Sequence, residues 1–393
     1  MAVTAVRSQS VAASTPSTRL VSLDIVRGVV MVLMAIDHVR VYSGVPAGGP
    51  TYGVFFTRWV THFCAPAFVF LAGTAAFLAG RRLHDAGRLS VYLATRGLLL
   101  VLLELTVIRA SWTFGMDYSQ FILAGVIWML GWCMMLLAAL VRLPVAAIAV
   151  FGLVVIAFQN VFTPIGKALP ASLHPIWEFI YPVGAEVRLG PGGPAVSVLY
   201  TLVPWVGVMA AGYAFGTIMT RDLAQRRRLC LQIGLSATVL FVVLAGAALV
   251  VHPATAGAPP AIIRFLNQTK YPASPLFLLM TLGPTIALIG VAERVHGWIA
   301  GVLATFGRVP MFYYLLHIPL IHATALLVWL IRDGSVHAER FATAPYVSIP
   351  PQDRWSLALL YVVFAVVVAA LYPLCRWYAH LKSTSQAAWL RYI

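Results

Sequence analysis

Residues 19–40 read RLVSLDIVRGVVMVLMAIDHVR, and the fold is decided here. An apolar run carries Asp24 and Arg27 near one end and Asp37, His38 and Arg40 near the other. At about 3.6 residues per turn, the steps from Arg27 to His38 make just over three whole turns, so both side chains share one helix face roughly 16 Å apart. Met31 and Met34 lie on that face between them. Ionisable groups along one side of a membrane helix are costly in lipid and face a bundle interior or a water-filled cavity. The stretch therefore predicts a helix that forms one wall of a site.

Composition points the same way. With 61% hydrophobic residues, 10% charged residues and a mean hydropathy of +0.89, the chain is not a set of soluble domains. Its apolar runs approach or exceed the roughly 20 residues that a helix needs to cross a bilayer. They lack the period of two that barrel strands would show. The expected class is all-α, a polytopic membrane bundle of ten or eleven spans. Residues 1–18 are rich in Ser, Thr and Ala without an apolar core, which predicts a disordered tail and no cleavable signal peptide; residues 19–393 form the single transmembrane domain.

Breaks at charged, Pro and Gly clusters place spans near 22–39, 55–79, 92–114, 121–141, 144–161, 197–219, 230–251, 275–292, 309–331 and 356–379. The piece 293–308 reads as a loop or a short interfacial helix. With the N-terminus inside, sixteen of the 27 basic residues fall on the cytoplasmic side and nine on the other, with Arg27 and Arg109 inside spans. That asymmetry predicts that both termini are cytoplasmic. The net charge of +15 is a topology signal, not a nucleic-acid footprint, because the basic residues sit in short clusters between apolar runs. Cys64, Cys133, Cys230 and Cys375 stand singly, which argues against disulfides and a bound metal.

The chemistry concentrates at the outer end of the first two spans. The second opens with FFTRWVTHFCAPAFVFLAG, placing Arg58 and His62 at i and i+4 on one face. Antiparallel neighbours would bring His38, Arg40, Arg58 and His62 into one corner. Adjacent helix residues point about 100° apart, so Asp37 is poorly placed to orient His38, and a second-span residue is the better candidate. Histidine accepts a proton near neutral pH, and an arginine beside it would neutralise a carboxylate, phosphate or oxyanion. Each residue also has a plainer reading. Arginines at span ends snorkel, Asp24 with Arg27 locks a helix end, and Glu104 and Arg109 are structural ties to different helices. Lys270 and Tyr271 are either interface anchors or part of a loop folded over the His38 corner. His317 is either part of the site or a core histidine bonded to the turn that Pro319 breaks.

These motifs carry a resemblance. SLDIVRGVVMVLMAIDH resembles the opening helix of the acyltransferase-3 family, whose LDxxRG is followed by a histidine eleven positions after the arginine. The ordered set SLDIVRG, FCAPAFVFLAG and FGRVPMFYYLLHIPLIH is still more similar to the heparan-alpha-glucosaminide N-acetyltransferase group and its bacterial relatives. The resemblance implies acyl transfer from cytoplasmic acyl-CoA, acetyl-CoA for instance, to a sugar-like acceptor, with His38 as general base. Lysosomal members have an asparagine at this helix position and a histidine in the following loop. That loop here, VYSGVPAGGPTYG, has none, which leaves His62 as second participant and Asp37 as the remaining catalytic candidate. Arg27, Arg40, Arg58, Lys270, Tyr271 and His317 would then bind donor or acceptor. A transporter or flippase for an anionic or lipid-linked solute is the rival reading, and a sensor or scaffold ranks below it. Lipid and a small-molecule or glycan acceptor are the expected partners, nucleic acid is not, and a homodimer stays open.

Overall fold

The computed structural model describes residues 19–49, 51–119, 121–385, 387 and 390. The tail expected to be disordered, 1–18, lies outside them. Along the chain come α1 (Val21–Ser43), α2 (Tyr52–Leu83), α3 (Ala86–Thr113), β1 (Phe121–Ala124), α4 (Val126–Leu140) and α5 (Val145–Ala168). After β2 (Val187–Arg188) and β3 (Ala195–Val198) follow α6 (Trp205–Met219), α7 (Leu223–Val251) and α8 (Pro275–Ala292). The chain closes with α9 (Trp298–Arg308), α10 (Pro310–Asp333) and α11 (Leu357–Thr384).

Seven of these helices, α2, α3, α5, α7, α8, α10 and α11, are long and apolar enough to cross a membrane. Their outward faces are apolar: Val150, Leu153, Val239 and Val362 are each about 60% exposed. In water such surface would be covered; in lipid it is the matched solvent. The ten predicted spans correspond to these seven, α1, and the shorter α4 and α6. At 15 residues each, α4 and α6 rise only about 22 Å. Their predicted spans began too early. Residues 121–124 and 195–198 are instead strands of a small sheet ordered β1-β3-β2, with β1 parallel and β2 antiparallel to β3.

The start of α4 has a specific cause. A Cβ at Gly125 would meet the Glu104 carboxylate 2.6 Å away. Glu104 opens a π-turn within α3 and accepts the backbone N–H groups of Ile127 (2.9 Å) and Trp128 (3.2 Å). A buried carboxylate thus satisfies donors that a helix start leaves without partners. Arg109 serves a different neighbourhood, as the angle between the two residues implied. It donates to the Thr113 hydroxyl and the Asp117 carbonyl and lies over the Phe121 ring. Glu104→Ala is expected to cost about 1–3 kcal/mol, because it strands two buried N–H groups. Thermal unfolding in detergent checks this, with Glu104→Gln, which keeps an acceptor oxygen, recovering part of the loss.

α1 runs through the middle of the bundle and touches α2, α8, α9, α10 and α11. Its approach to α9 is backbone to backbone: Gly28 faces the Leu303 carbonyl and Gly307 faces the Asp24 carbonyl. Small residues let membrane helices pack this closely where lipid supplies no hydrophobic drive. α9 is the short helix allowed for at 293–308, with Trp298 and Ile299 exposed and Ala300, Ala304 and Gly307 buried. All four cysteines are buried and free.

Candidate active site at the end of α1

The first helix ends at the site. Gly44 closes it in the left-handed conformation (φ 71°), its N–H bonded to the Val41 carbonyl. Asp37 and His38, on the last turns, are partly exposed. Asp37 accepts from Arg40 Nε (3.0 Å) and from Arg58 Nη1 (3.1 Å), one guanidinium on each oxygen. Arg58 also donates to the Thr61 hydroxyl at 2.9 Å. Between Arg58 and His62 the α2 helix tightens into a 3-10 turn over Val60–Phe63. His62 is buried there against the Phe277 ring, and its Nδ1 has no hydrogen-bond partner.

His38 is oriented by α10, not by α2. Its Nδ1 lies 2.7 Å from His317 Nε2, with the two rings stacked at 4.8 Å. His317 Nδ1 lies 2.7 Å from the Tyr314 carbonyl and 3.2 Å from that of Tyr313. Carbonyls only accept, so His317 Nδ1 carries the proton and its Nε2, in the neutral ring, is an acceptor. His38 Nδ1 must then be the donor to it. The outcome is a fixed tautomer in which His38 Nε2 holds the free lone pair.

Two expectations are corrected here. Among the described residues it is His317 of α10, a helix that also packs against α1, and not a second-span residue that bonds His38 Nδ1. Nor does His317 bond the carbonyl that Pro319 frees, which belongs to Leu315. A helical side chain points back toward the N-terminus and reaches carbonyls three and four residues earlier, here Tyr314 and Tyr313. Trp112, unmarked in the sequence, closes the corner with its ring edge-on to His38 at 4.9 Å, and its carbonyl accepts the Tyr42 hydroxyl. An aromatic at a span end reads as an interface anchor, so nothing local distinguished it.

The loop before α8 folds over this corner, the second of its two sequence readings. Lys270 is 8% exposed, with its ammonium 5.2 Å from the Tyr271 ring and 5.7 Å from that of Tyr200. The Tyr271 hydroxyl donates to that of Tyr200 at 3.3 Å. Burial raises the Tyr200 phenol well above its usual range. At Tyr271 burial also works upward, but Lys270 and Arg58 outweigh it and the phenol titrates lower than usual. Asp37, His38, Arg40, Arg58, His62, Lys270, Tyr271 and His317 thus share one end of the bundle.

Arg27 does not join them. It pairs with Asp24 at 3.3 Å, and Arg19 holds the same carboxylate at 2.5 Å. Beside Arg19, at that opposite end, opens a pocket of about 530 Å³ lined by Arg308, Arg376, His380, Lys382 and Ser383. In the sequence these basic residues register only as topology signals.

A family model described as heparan-alpha-glucosaminide N-acetyltransferase, catalytic, matches residues 19–252, more than half of the chain. The chain belongs to this N-acetyltransferase family. No curated protein matches it. The family match takes in α1 to α7 and hence Asp37, His38, Arg40, Arg58 and His62, whereas Lys270, Tyr271 and His317 lie beyond it. It supports the N-acetyltransferase resemblance and not the acyltransferase-3 one. Membership in this family and the seven apolar helices make the chain a multi-pass membrane protein of acyltransferase type. The described residues contain no cluster of three or more His, Cys, Asp or Glu able to hold a metal.

Proposed function

We propose that this protein transfers an acetyl or other acyl group from acyl-CoA to a hydroxyl or amine of a sugar-like acceptor, with His38 as general base. The observation that carries the reading is the oriented lone pair. The chain from the Tyr314 carbonyl through His317 to His38 leaves Nε2 as the one unprotonated nitrogen of a partly exposed ring, beside three cations.

In the reaction, His38 Nε2 takes the acceptor's proton as its oxygen or nitrogen attacks the thioester carbonyl. The C–S bond then breaks, and the CoA thiolate recovers the proton from the imidazolium. Ester or amide and free CoA result. Excess positive charge at the corner stabilises the oxyanion formed on the way. The phosphates of the donor fit the basic pocket of Arg308, Arg376 and Lys382 at the other end of α1, on the cytoplasmic face, better than they fit Arg27, which shares the Asp24 carboxylate with Arg19. The pantetheine arm then runs along α1. Met31, Met34 and Tyr313 fill that route, and the Tyr313 hydroxyl is buried without a partner. Thioether side chains repack readily, so donor entry moves them aside. The setting is a bacterial inner membrane with the acceptor on the far side.

Purified protein in liposomes is expected to transfer radiolabel from acetyl-CoA to an acceptor in a mixed panel of hydroxyl and amino sugars. Arg376→Glu is expected to raise the KM for acetyl-CoA by about tenfold or more, through lost phosphate contacts, with a smaller change in kcat. Absence of label transfer to any acceptor, together with absence of acetyl-CoA binding, would overturn the reading.

A further inference from the structure

The His38 corner carries more positive charge than it can neutralise. Asp37 is shared between Arg40 and Arg58. Lys270 is a third cation, and no Asp or Glu among the described residues pairs with it. It is buried, with the rings of Tyr200 and Tyr271 against its ammonium. The loop that carries it leads into α8, whose Phe277 ring packs edge-on against His62, which places it beside the site. Burying an ammonium without a counter-charge is costly, and cation–π contacts of this length return only part of the cost. The second observation is independent: His62, 7% exposed and one turn beyond Arg58, leaves Nδ1 without a partner. A cation without an acidic partner and a ring nitrogen free to donate, next to the oriented His38 ring, are the groups that an anionic oxygen would satisfy.

We infer that the acceptor carries an anionic oxygen group, a carboxylate or phosphate, which Lys270 neutralises and His62 hydrogen-bonds while the neighbouring hydroxyl or amine faces His38. The inference rests on the proposed acyl transfer and narrows it to sugar acids or sugar phosphates over neutral sugars. Asp37 prevents the two arginines from taking the anion themselves, so Lys270 is the residue that discriminates.

The test uses the full chain in detergent, with glucose, glucuronate, glucose 6-phosphate and inorganic phosphate as probes. In thermal-shift titrations glucuronate or glucose 6-phosphate is expected to stabilise the protein, with glucose and inorganic phosphate weaker by roughly tenfold or more. Lys270→Met should erase that preference, and Lys270→Arg should keep most of it. Equal binding of glucose, or an undiminished preference in Lys270→Met, overturns the inference, as does inorganic phosphate binding as well as the sugar anions. Label transfer from acetyl-CoA separates the two readings. Anion preference without transfer to any acceptor leaves the site standing and sinks the acyltransferase. Transfer to neutral sugars that is indifferent to Lys270 does the reverse.

Discussion

His38→Ala is expected to lower acyl transfer by about 10²–10⁴-fold, the usual contribution of a positioned general base. The loss should fall on kcat, because the imidazole acts on the proton in flight and contributes little to holding either substrate. The ring is partly exposed at the end of α1, so its removal opens no large cavity, and the thermal midpoint and acetyl-CoA binding should stay near wild type. His317→Leu gives a sharper version of the same test. It leaves His38 in place but removes the acceptor that fixes its tautomer, so transfer should fall while His38 stays intact. His317→Gln, which offers an acceptor oxygen in a similar position, should recover part of the rate. Label transfer by His38→Ala at the wild-type rate would remove the residue from the mechanism. His38→Ala inactive beside a fully active His317→Leu would keep the base and discard the relay.

The second large effect is on folding. Gly307→Val is expected to abolish the folded protein, read as loss of the monodisperse peak in detergent chromatography. A Cβ at 307 runs into the Asp24 carbonyl, and one at Gly28 runs into the Leu303 carbonyl, so neither helix can yield without the other. Backbone overlap of this kind exceeds the ~1–3 kcal/mol of ordinary overpacking. It would push α9 from α1, the helix against which α2, α8, α10 and α11 also pack. Gly301, on the same α9 helix with nothing within 4 Å, is the control. Gly301→Ala should be neutral or stabilising by up to about 1 kcal/mol. A stable, monodisperse Gly307→Val protein would show that α9 is free to move off α1.

The corner itself was readable from sequence because its evidence is local. Arg58 and His62 lie at helical spacing just after a short connection from His38 and Arg40, and a short connection makes neighbours. The Asp24–Arg27 pair was equally legible from its spacing of three, whereas the basic pocket at that end draws on Arg308, Arg376 and Lys382 from distant segments and was not. Glu104 looked like a tie to another helix and is one, though its partners are backbone N–H groups that have no sequence signature.

By itself, the sequence determined that this chain is a helical membrane protein, where its apolar helices run, and which ionisable groups sit inside them. Those properties follow from runs and periodicity within about 20 residues, the scale on which a bilayer acts. Only the tertiary structure decided that His317, 279 residues beyond His38, bonds that ring and fixes its tautomer, and that Lys270 is buried against Tyr200 and Tyr271 with no acidic partner among the described residues. Such pairings depend on which helix faces which, and that is decided by contacts between residues far apart in the chain, which no local pattern records.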